Sequence, residues 1–378
     1  MNEGRRSGTA AAPPARTVPT SAAARANAVR KAFAAQAEYC AKLGSRFTAT
    51  LCEALSDVLS TDDELGRRVL AWPGDPSPLA DNLPLRLAGA LNALARSGRV
   101  RDLAAAYPPR GTPHPTTFAI VLRHVLAEHA AEIAAFLEHT PQTNEVGRSA
   151  VLIGGLLEIA KRTGLPLALF EIGASAGLNL LADRFRYRLG GAELGPKNAT
   201  LTLAPDWNGP LPPVDAKLRV RTRRGCDLNP IDLHDAAQRE RLMCYVWPDQ
   251  PERVARLEAA IATALAAESF AVDKADAGDW VEAQLPPAAP RGVARVLFHS
   301  IVWGYLPEAT RERIRAHLAT IGAAATSGAP LAWLRFELAP ATTAKPEIRL
   351  TLWPGGRDYS LGDAHPHGAA VRWTGAVD

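Results

Sequence analysis

Residues 167–185 read LALFEIGASAGLNLLADRF and combine two patterns that point to different chemistries. Gly173, Ser175 and Gly177 spell G-x-S-x-G, the sharp turn that presents a nucleophilic serine in many hydrolases. In the second pattern, Glu171 ends an apolar strand and small residues follow it, as in loops that hold a nucleotide-like cofactor at a helix N-terminus. Both patterns predict a strand, a turn and a helix, so the rest of the chain has to decide between them.

The chain before this stretch differs from the chain after it. Apolar residues at spacings of three and four predict a helical N-terminal domain over 27–149. From 150 to 378, short apolar strands alternate with helices, which predicts a parallel sheet with helices on both faces. The expected fold class is therefore α/β, a Rossmann-like sheet preceded by an all-α domain.

Local signals mark a tail and the helix that leads into the motif. Residues 1–26 are rich in Ala, Pro, Ser, Thr and Arg and contain almost no large apolar residues, which predicts a disordered tail. Residues 142–164 predict a helix that Thr143 or Asn144 caps and Gly164 ends.

Two further segments predict additions to the parallel sheet. Residues 184–216 predict an inserted β-hairpin, because apolar residues alternate with arginines up to a Gly-Gly turn. Residues 347–356 and 369–374 predict a closing antiparallel pair of strands.

The order of the elements favours the cofactor pattern. A hydrolase elbow normally follows several strands, whereas the strand before Gly173 is expected to be the first of its sheet. A hydrolase also needs an acid and then a histidine downstream, and Asp279 or Asp363 followed by His365 or His367 could fill that order. Aspartates are common in this chain, so the match has little weight and the hydrolase remains the alternative.

A cofactor loop of this kind needs a second acid. At the end of the second strand, a carboxylate can accept hydrogen bonds from both hydroxyls of a ribose. RRGCDLNP, residues 223–230, supplies Asp227 in that place. Its separation from Glu171 exceeds the usual ~20 residues, and the insertion over 184–216 accounts for the excess.

These features resemble a known enzyme family. EIGASAG, residues 171–177, is similar to motif I of the class I S-adenosylmethionine-dependent methyltransferases, and GCDLNP resembles the acidic end of their second strand. KADAGDW resembles the segment after their third strand, and residues 296–318 resemble the fourth strand with its helix. The likeness covers roughly 150–378. It implies S-adenosylmethionine as the cofactor, and the closing antiparallel pair fits that fold's final reversed strand.

The resemblance assigns cofactor contacts residue by residue. The residues concerned are Glu171, Gly173, Ser175, Gly177, Asp227, Asp276 and Asp279. In the family pattern, the loop lines the methionine and ribose, the first acid orients the loop, and the second acid holds the ribose. Asp276 or Asp279 would stand near the adenine amino group. Ser175 departs from the pattern, because it replaces the central glycine of motif I and narrows the turn.

The whole chain also resembles a second family. The stretches that carry this resemblance are QTNEVGRSA (142–150), EIGASAGLNLLADRF (171–185), GCDLNPIDL (225–233), VWPDQ (246–250) and HPHG (365–368). From about residue 30 onward, they are similar to a bacterial family catalogued as domain of unknown function 2332. That resemblance implies no established activity.

Polar and aromatic residues near the expected crevice are candidates for substrate contact. These are Gln142, Asn144, Glu145, Arg148, Trp303 and Tyr305. The first four could form a wall of the site or simply cap a helix. His299 follows the expected fourth strand and is the candidate general base, since an imidazole titrates near neutral pH. A histidine satisfied by a backbone partner is an equally good interpretation.

Composition narrows the functional classes. The 378 residues carry a net charge of +4, too small an excess to indicate a nucleic-acid partner. Cys40, Cys52, Cys226 and Cys244 have no zinc-type spacing, so we expect no metal and free thiols in a reducing cytoplasm. No stretch is long and apolar enough to predict a membrane span.

The sequence thus predicts a cytoplasmic S-adenosylmethionine-dependent methyltransferase that acts on a small or medium-sized acceptor molecule. Two alternatives remain. One is a serine hydrolase that uses Ser175, and the other is a non-catalytic binding protein on the same fold. The sequence specifies neither the acceptor nor the oligomeric state.

Overall fold

The N-terminal part of the chain is a layer of helices. The computed structural model describes residues 21–78, 80–111, 114–267, 270–338 and 345–376. The helices of this layer are α1 (Ala22–Lys42), α2 (Arg46–Val58), α3 (Glu64–Leu70), α4 (Leu83–Ser97), α5 (Arg101–Ala105), α6 (Pro115–Glu128) and α7 (Ala130–Leu137). Apolar residues three and four apart give each helix a face to bury, and Phe33, Leu51 and Leu87 lie in their shared core. This confirms the expected helical region.

Helix α1 begins earlier than predicted. It starts at Ala22, inside the range assigned to the tail, and the Ser21 hydroxyl caps it by accepting a hydrogen bond from the Ala24 amide at 3.2 Å. Alanine is the best helix former, so the same composition that lacks core residues extends the helix once Val29 is buried. The rest of the predicted tail, residues 1–20, lies outside the described residues.

The second part of the chain combines strands with helices and confirms the α/β class. Its helices are α8 (Ser149–Thr163), α9 (Ala236–Cys244), α10 (Pro251–Leu265), α11 (Ala277–Gln284) and α12 (Glu308–Ala323). Its strands are β1 (Leu167–Ile172), β2 (Arg186–Leu189), β3 (Ala192–Leu194), β4 (Thr202–Leu203), β5 (Asp206–Asn208), β6 (Val220–Asp227), β7 (Ala271–Lys274), β8 (Ala294–Ser300), β9 (Leu331–Glu337), β10 (Glu347–Trp353), β11 (Arg357–Ala364) and β12 (Ala370–Trp373). Short 3-10 helices cover Val146–Arg148, Leu178–Arg184 and Trp303–Tyr305.

Nine of the described strands form one sheet in the order β5-β12-β11-β10-β9-β8-β1-β6-β7. The strands from β7 to β9 in this order are parallel, with β1 in their middle. From β1 the chain builds β6 and β7 on one side and then β8 and β9 on the other. The carboxyl ends of β1 and β8 therefore flank a topological switch point, the place where open α/β sheets bind ligands.

The C-terminal end of the sheet differs from the predicted antiparallel pair. β10 lies antiparallel to β9 and β11, and β11 lies antiparallel to β12, so residues 347–356 and 369–374 do not pair with each other. The prediction missed β11 because its charged residues are typical of a loop. In the sheet these charges are satisfied across strands: Asp358, for example, accepts hydrogen bonds from Arg349 and Thr351 of β10.

The residues between β1 and β6 form a smaller sheet. β2 and β3 make an antiparallel hairpin across Gly190 and Gly191, whose φ angles of 51° and 90° favour glycine. β4 pairs with β2, whereas β5 pairs with β12 at the edge of the large sheet. Glu171 and Asp227 are thus far apart in sequence although β1 and β6 are neighbours.

Residues 246–250, VWPDQ, attach the helical layer to the α/β part. The Asp249 carboxylate caps α2, because it accepts hydrogen bonds from Ser45 Oγ at 2.5 Å and from the Phe47 amide at 2.9 Å. Trp247 packs in the core of the helical layer. The segment between α9 and α10 therefore fixes the contact between the two parts.

Candidate functional site

The loop after β1 adopts left-handed backbone conformations. Gly173, Ser175 and Gly177 have φ angles of 66°, 54° and 74°, a region that glycine enters freely and other residues rarely enter. Packing also requires glycine at the first position, because a Cβ on Gly173 would lie 2.4 Å from Val302 Cγ2. Ser175 is therefore the strained residue of this loop.

Asp227, at the end of β6, faces the loop. Its Oδ2 accepts a hydrogen bond from the Ser175 amide at 3.0 Å, and its Oδ1 accepts from the Asn229 amide at 2.9 Å. Gln142 Nε2 also donates to Oδ1, at 3.2 Å. Since a carboxylate has about four acceptor positions, these three bonds hold Asp227 in place and leave one position open.

Two polar atoms at this loop are buried and have no hydrogen-bond partner among the described residues. They are Glu171 Oε2 and Ser175 Oγ. Burial raises the pKa of Glu171 well above its ordinary value, and the nearby Asp227 charge adds to this rise. Arg148 and Asn179 oppose the rise without cancelling it. The folded environment therefore favours the protonated form of Glu171 more than water does, and in that form the acid can donate a hydrogen bond as well as accept one.

His299 does not fit the role of general base that the sequence suggested. Its ring is fully buried, and Nε2 accepts a hydrogen bond from Trp333 Nε1 at 3.0 Å. The ring proton therefore lies on Nδ1, which is 2.6 Å from Glu337 Oε1. Trp303 stacks on the ring, with the centroids 5.0 Å apart. Because both nitrogens are engaged inside the protein, the imidazole positions Glu337 and is not free to accept a proton from a substrate.

Glu337, at the end of β9, organises the segment after β8. Its two oxygens accept hydrogen bonds from the amides of Val302, at 3.1 Å, and Trp303, at 3.2 Å. The preceding Ile301 has a φ of 50°, an unfavourable angle for a β-branched residue. Glu337 thus stabilises a strained turn beside Gly173. The sequence analysis missed this residue because it lies outside every motif and no local pattern marks it.

Residues 142–148 reach the loop, but they do not form the predicted start of a helix. Helix α8 begins only after this segment, and Asn144 Oδ1 instead accepts a hydrogen bond from the Leu178 amide at 2.9 Å. Asn144 therefore caps the 3-10 helix that follows the loop, and neither it nor Thr143 caps α8. Gly164 ends α8 in a left-handed conformation, as predicted, with a φ of 66°.

Glu145 forms a buried ion pair with Arg253 of α10. Arg253 Nε donates to Glu145 Oε2 at 2.7 Å, and the two side chains are only 10% and 5% exposed. Although burial alone would raise the pKa of Glu145, Arg253 and His367 outweigh it and hold the pKa at about 2. Glu145 therefore fixes α10 to this wall of the site and is not an open substrate contact.

Arg148 connects the start of α8 to the end of β8. Its Nη1 donates to the Ser300 carbonyl and its Nε to the Pro366 carbonyl, both at 3.0 Å. Burial lowers its pKa, and Glu145 counteracts this effect. Tyr305 lies within reach of the Arg148 charge and is 51% exposed, so its ring is open to a ligand.

Asp276 and Asp279 have separate roles at the start of α11. Asp276 Oδ1 caps the helix by accepting hydrogen bonds from the amides of Gly278, at 2.8 Å, and Asp279, at 3.2 Å. Asp279 is largely exposed and pairs with Arg313 of α12 at 2.9 Å. Only Asp276 lies near the Asp227 edge, through the bond of the adjacent Ala275 amide to the Asp227 carbonyl. The expected adenine contact of Asp279 is not favoured by this geometry.

One protein family matches nearly the whole chain. The model of a family described as an uncharacterized protein conserved in bacteria, DUF2332, matches residues 30–373. The chain belongs to this family. The match includes both the helical layer and the α/β part. Neither the curated proteins nor the solved structures gave a match.

Leu228 is a feature of this DUF2332 chain that the sequence analysis did not single out. It follows Asp227 directly and is 62% exposed. Its position immediately after Asp227 is the sequence signal that could have identified it as a candidate site residue. An exposed leucine beside an aspartate places apolar surface next to a carboxylate at the end of β6.

The described residues contain neither a metal-binding cluster nor a membrane-spanning helix. In the described ranges, no cluster of three or more His, Cys, Asp or Glu side chains is arranged to hold a metal ion. Among the helices of those ranges, none combines the length and apolar character needed to cross a membrane.

Proposed function

We propose that this DUF2332 protein is an S-adenosylmethionine-dependent methyltransferase for a small or medium-sized acceptor molecule. The observation that carries the proposal is the 3.0 Å hydrogen bond between the Ser175 amide and Asp227. It joins the loop that resembles motif I to the acid of the neighbouring strand. The loop lies beside the switch point of the sheet, and Asp227 lies at the carboxyl end of the strand on the other side of β1. A nucleotide-like ligand would find a carboxylate and close backbone approach together there.

The chemistry of the residues around this crevice suits an adenosyl ligand. Asp227 retains one acceptor position for a ribose hydroxyl, and Leu228 offers an apolar surface to a flat base. Glu171 Oε2 and Ser175 Oγ are among the buried polar atoms that have no hydrogen-bond partner in the described residues, and a polar ligand at the loop would supply one. When bound, S-adenosylmethionine would supply an activated methyl group.

Ser175 and Val302 restrict the β8 side of the loop. Ser175 replaces a glycine of the family pattern, and Val302 fills the space beside Gly173. The proposal therefore depends most on the β6 side, where Asp227 and Leu228 lie.

Arg148 and Tyr305 are the residues best placed to contact the acceptor. Arg148 donates a hydrogen bond to the Ser300 carbonyl at the end of β8, and Tyr305 comes shortly after β8 in the chain. The Tyr305 side chain is half exposed. His299 is engaged on both ring nitrogens, so it leaves no open base there. The protein would then accelerate transfer chiefly by holding the acceptor in line with the methyl group and excluding water.

The alternatives receive less support from the geometry. Activation of a serine nucleophile needs a base within hydrogen-bond distance, and Ser175 Oγ has no such partner in the described part of the chain. A non-catalytic binding protein would use the same crevice, and only an assay of methyl transfer separates it from an enzyme.

The experiment is a thermal-shift titration with S-adenosylmethionine, S-adenosylhomocysteine and NAD⁺. We expect the first two to raise the melting temperature by several degrees at a hundredfold excess over Kd, where the stabilisation is about 2.7 kcal/mol. NAD⁺ should cause no comparable shift. The Asp227→Asn variant keeps the side-chain volume and should lose at least tenfold in affinity.

Asp232→Asn is the matched control. Asp232 is an exposed aspartate on the same connection, bonded only locally to the His234 amide. Its substitution should leave the titration unchanged. A wild-type protein that ignores both adenosyl compounds, or a Asp227→Asn variant that binds them normally, would overturn the proposal.

A further inference from the structure

A cavity of about 460 Å³ lies where the helical layer meets the segment from α9 to α10. Its walls come from the end of α4, from residues 104–110 and from residues 243–258. None of these belongs to the loop after β1 or to the end of β6, so the cavity is separate from the proposed cofactor site. Its volume falls in the range of pockets that bind small organic molecules.

The wall of the cavity is mixed, with slightly more apolar than polar surface. Met243, Val246 and Val254 line it, together with four prolines: Pro108, Pro109, Pro248 and Pro251. Proline rings present rigid surfaces to an aromatic ring, and a methionine side chain adapts its shape to it. The cavity therefore suits an apolar body.

Asn92 of α4 contributes one open acceptor to this wall. The residue is 5% exposed, and its Nδ2 donates to the carbonyls of Cys244, at 2.9 Å, and Val246, at 3.2 Å. These bonds fix the amide orientation. Its Oδ1 accepts no hydrogen bond from the described residues and is not among their fully buried unpartnered atoms, so it is open to a donor on a ligand in the cavity.

The charges at the rim balance one another. Arg96 donates to Glu240 from Nε at 2.6 Å and from Nη2 at 3.2 Å, so its charge is already paired. Arg110 and Glu258 are exposed and opposite in sign. This arrangement gives no net attraction for an ion and favours an uncharged ligand.

We infer that this cavity is a binding site for an uncharged aromatic small molecule with one hydrogen-bond donor. The donor bonds to Asn92 Oδ1, and the ring packs against the prolines and Met243. A ligand there touches α4 and α10 together and thus bridges the helical layer and the α/β part.

Isothermal titration of the full chain with indole and 1-methylindole tests this inference. The two probes share shape and apolar character, but only indole has an N–H donor. We expect indole to bind with a Kd below the millimolar range and 1-methylindole to bind about five- to tenfold more weakly, as loss of one hydrogen bond requires.

A blocking variant adds a second test. Ala255 is exposed on α10 and lines the cavity, so Ala255→Trp should fill the mouth without removing a contact and should abolish binding. Ala262→Trp, an exposed position on the same helix that does not line the cavity, should bind like the wild type. No binding of either probe at millimolar concentration, equal affinity for both, or unchanged binding by Ala255→Trp would overturn the inference. The probe comparison needs no variant and does not depend on how Ala255→Trp folds.

Discussion

At the scale of single residues, Glu171 is a buried acid with a raised pKa, a feature that is typical of functional sites. It is 2% exposed, and its Oε2 has no hydrogen-bond partner among the described residues, so its burial costs free energy. Because its pKa is raised in the folded state, the folded protein keeps the proton at pH values where the unfolded chain releases it. The wild-type free energy of unfolding should therefore fall as the pH rises above about 4.3, until the pH reaches the folded pKa.

Glu171→Gln removes this penalty. We expect the variant to be more stable than the wild type by about 1 kcal/mol or more at pH 8, with a smaller difference at pH 5. It should also bind S-adenosylhomocysteine more weakly, since the acid is lost. Urea denaturation at the two pH values measures the first effect, and Glu53→Gln, an exposed acid of α2, is the control. An equal or lower stability of Glu171→Gln at pH 8 would contradict the account.

Ser175 separates the cofactor interpretation from the hydrolase. Its φ of 54° costs about 1 kcal/mol for a residue with a Cβ, and its hydroxyl is buried without a partner. We expect Ser175→Gly to keep or slightly raise the melting temperature and to retain binding of S-adenosylhomocysteine. A fluorophosphonate probe should not label the wild type. Labelling that disappears in Ser175→Gly would establish the serine as a nucleophile and refute this expectation.

At the scale of elements, the ion pair between Glu145 and Arg253 ties residues 142–148 to α10. The pKa of Glu145 is about 2 when folded, so the pair stabilises the protein above the ordinary pKa of about 4.3. This contribution is lost as the pH falls toward 2. We expect Glu145→Gln to cost about 3–5 kcal/mol at pH 7, because Arg253 would remain buried without its counter-charge.

Denaturation of this variant at pH 7 and pH 3 checks the sign. The deficit relative to the wild type should shrink at pH 3. Glu252→Gln, an exposed acid in the first turn of α10, should change little at either pH. A deficit that is the same at both pH values would show that the amide disturbs packing and that the charge is not the cause.

The elements that the sequence predicted well are those with one strong local signal. β1 and β8 are nearly continuous apolar runs, which is the pattern expected of strands that are buried on both faces of a sheet. The prediction failed for β11, whose charges find partners only across the sheet. It also failed for Asn144, which caps the 3-10 helix after the motif loop and does not cap α8, the next helix along the chain. Partners distant in sequence decided both cases.

At the scale of the whole molecule, Asp249 joins the helical layer to the α/β part. Its carboxylate satisfies the N-terminus of α2 through Ser45 and Phe47. Asp249→Ala should lower the free energy of unfolding by about 1–3 kcal/mol and speed hydrogen exchange at the start of α2. Glu252→Ala is the control for loss of an acid nearby. Unchanged exchange in α2 would mean that other contacts hold the two parts together.

The candidate site was also only partly predictable, because several of its residues have partners that are distant in sequence. Glu171, Gly173 and Asp227 stand in recognisable local patterns, and the structure brings them to one edge of the sheet. Glu337 has its role only after β8 and β9 pair, and Leu228 only after β6 pairs with β1. His299 looked like a base because its two partners, Trp333 and Glu337, come from another strand.

The most direct test of the central claim is amide hydrogen exchange with and without S-adenosylhomocysteine. The account predicts that the compound slows exchange in the loop after β1, over residues 173–177, and just after β6, over residues 227–229, in the wild type but not in Asp227→Asn. Protection confined to other parts of the chain, or none at saturating compound, would contradict it.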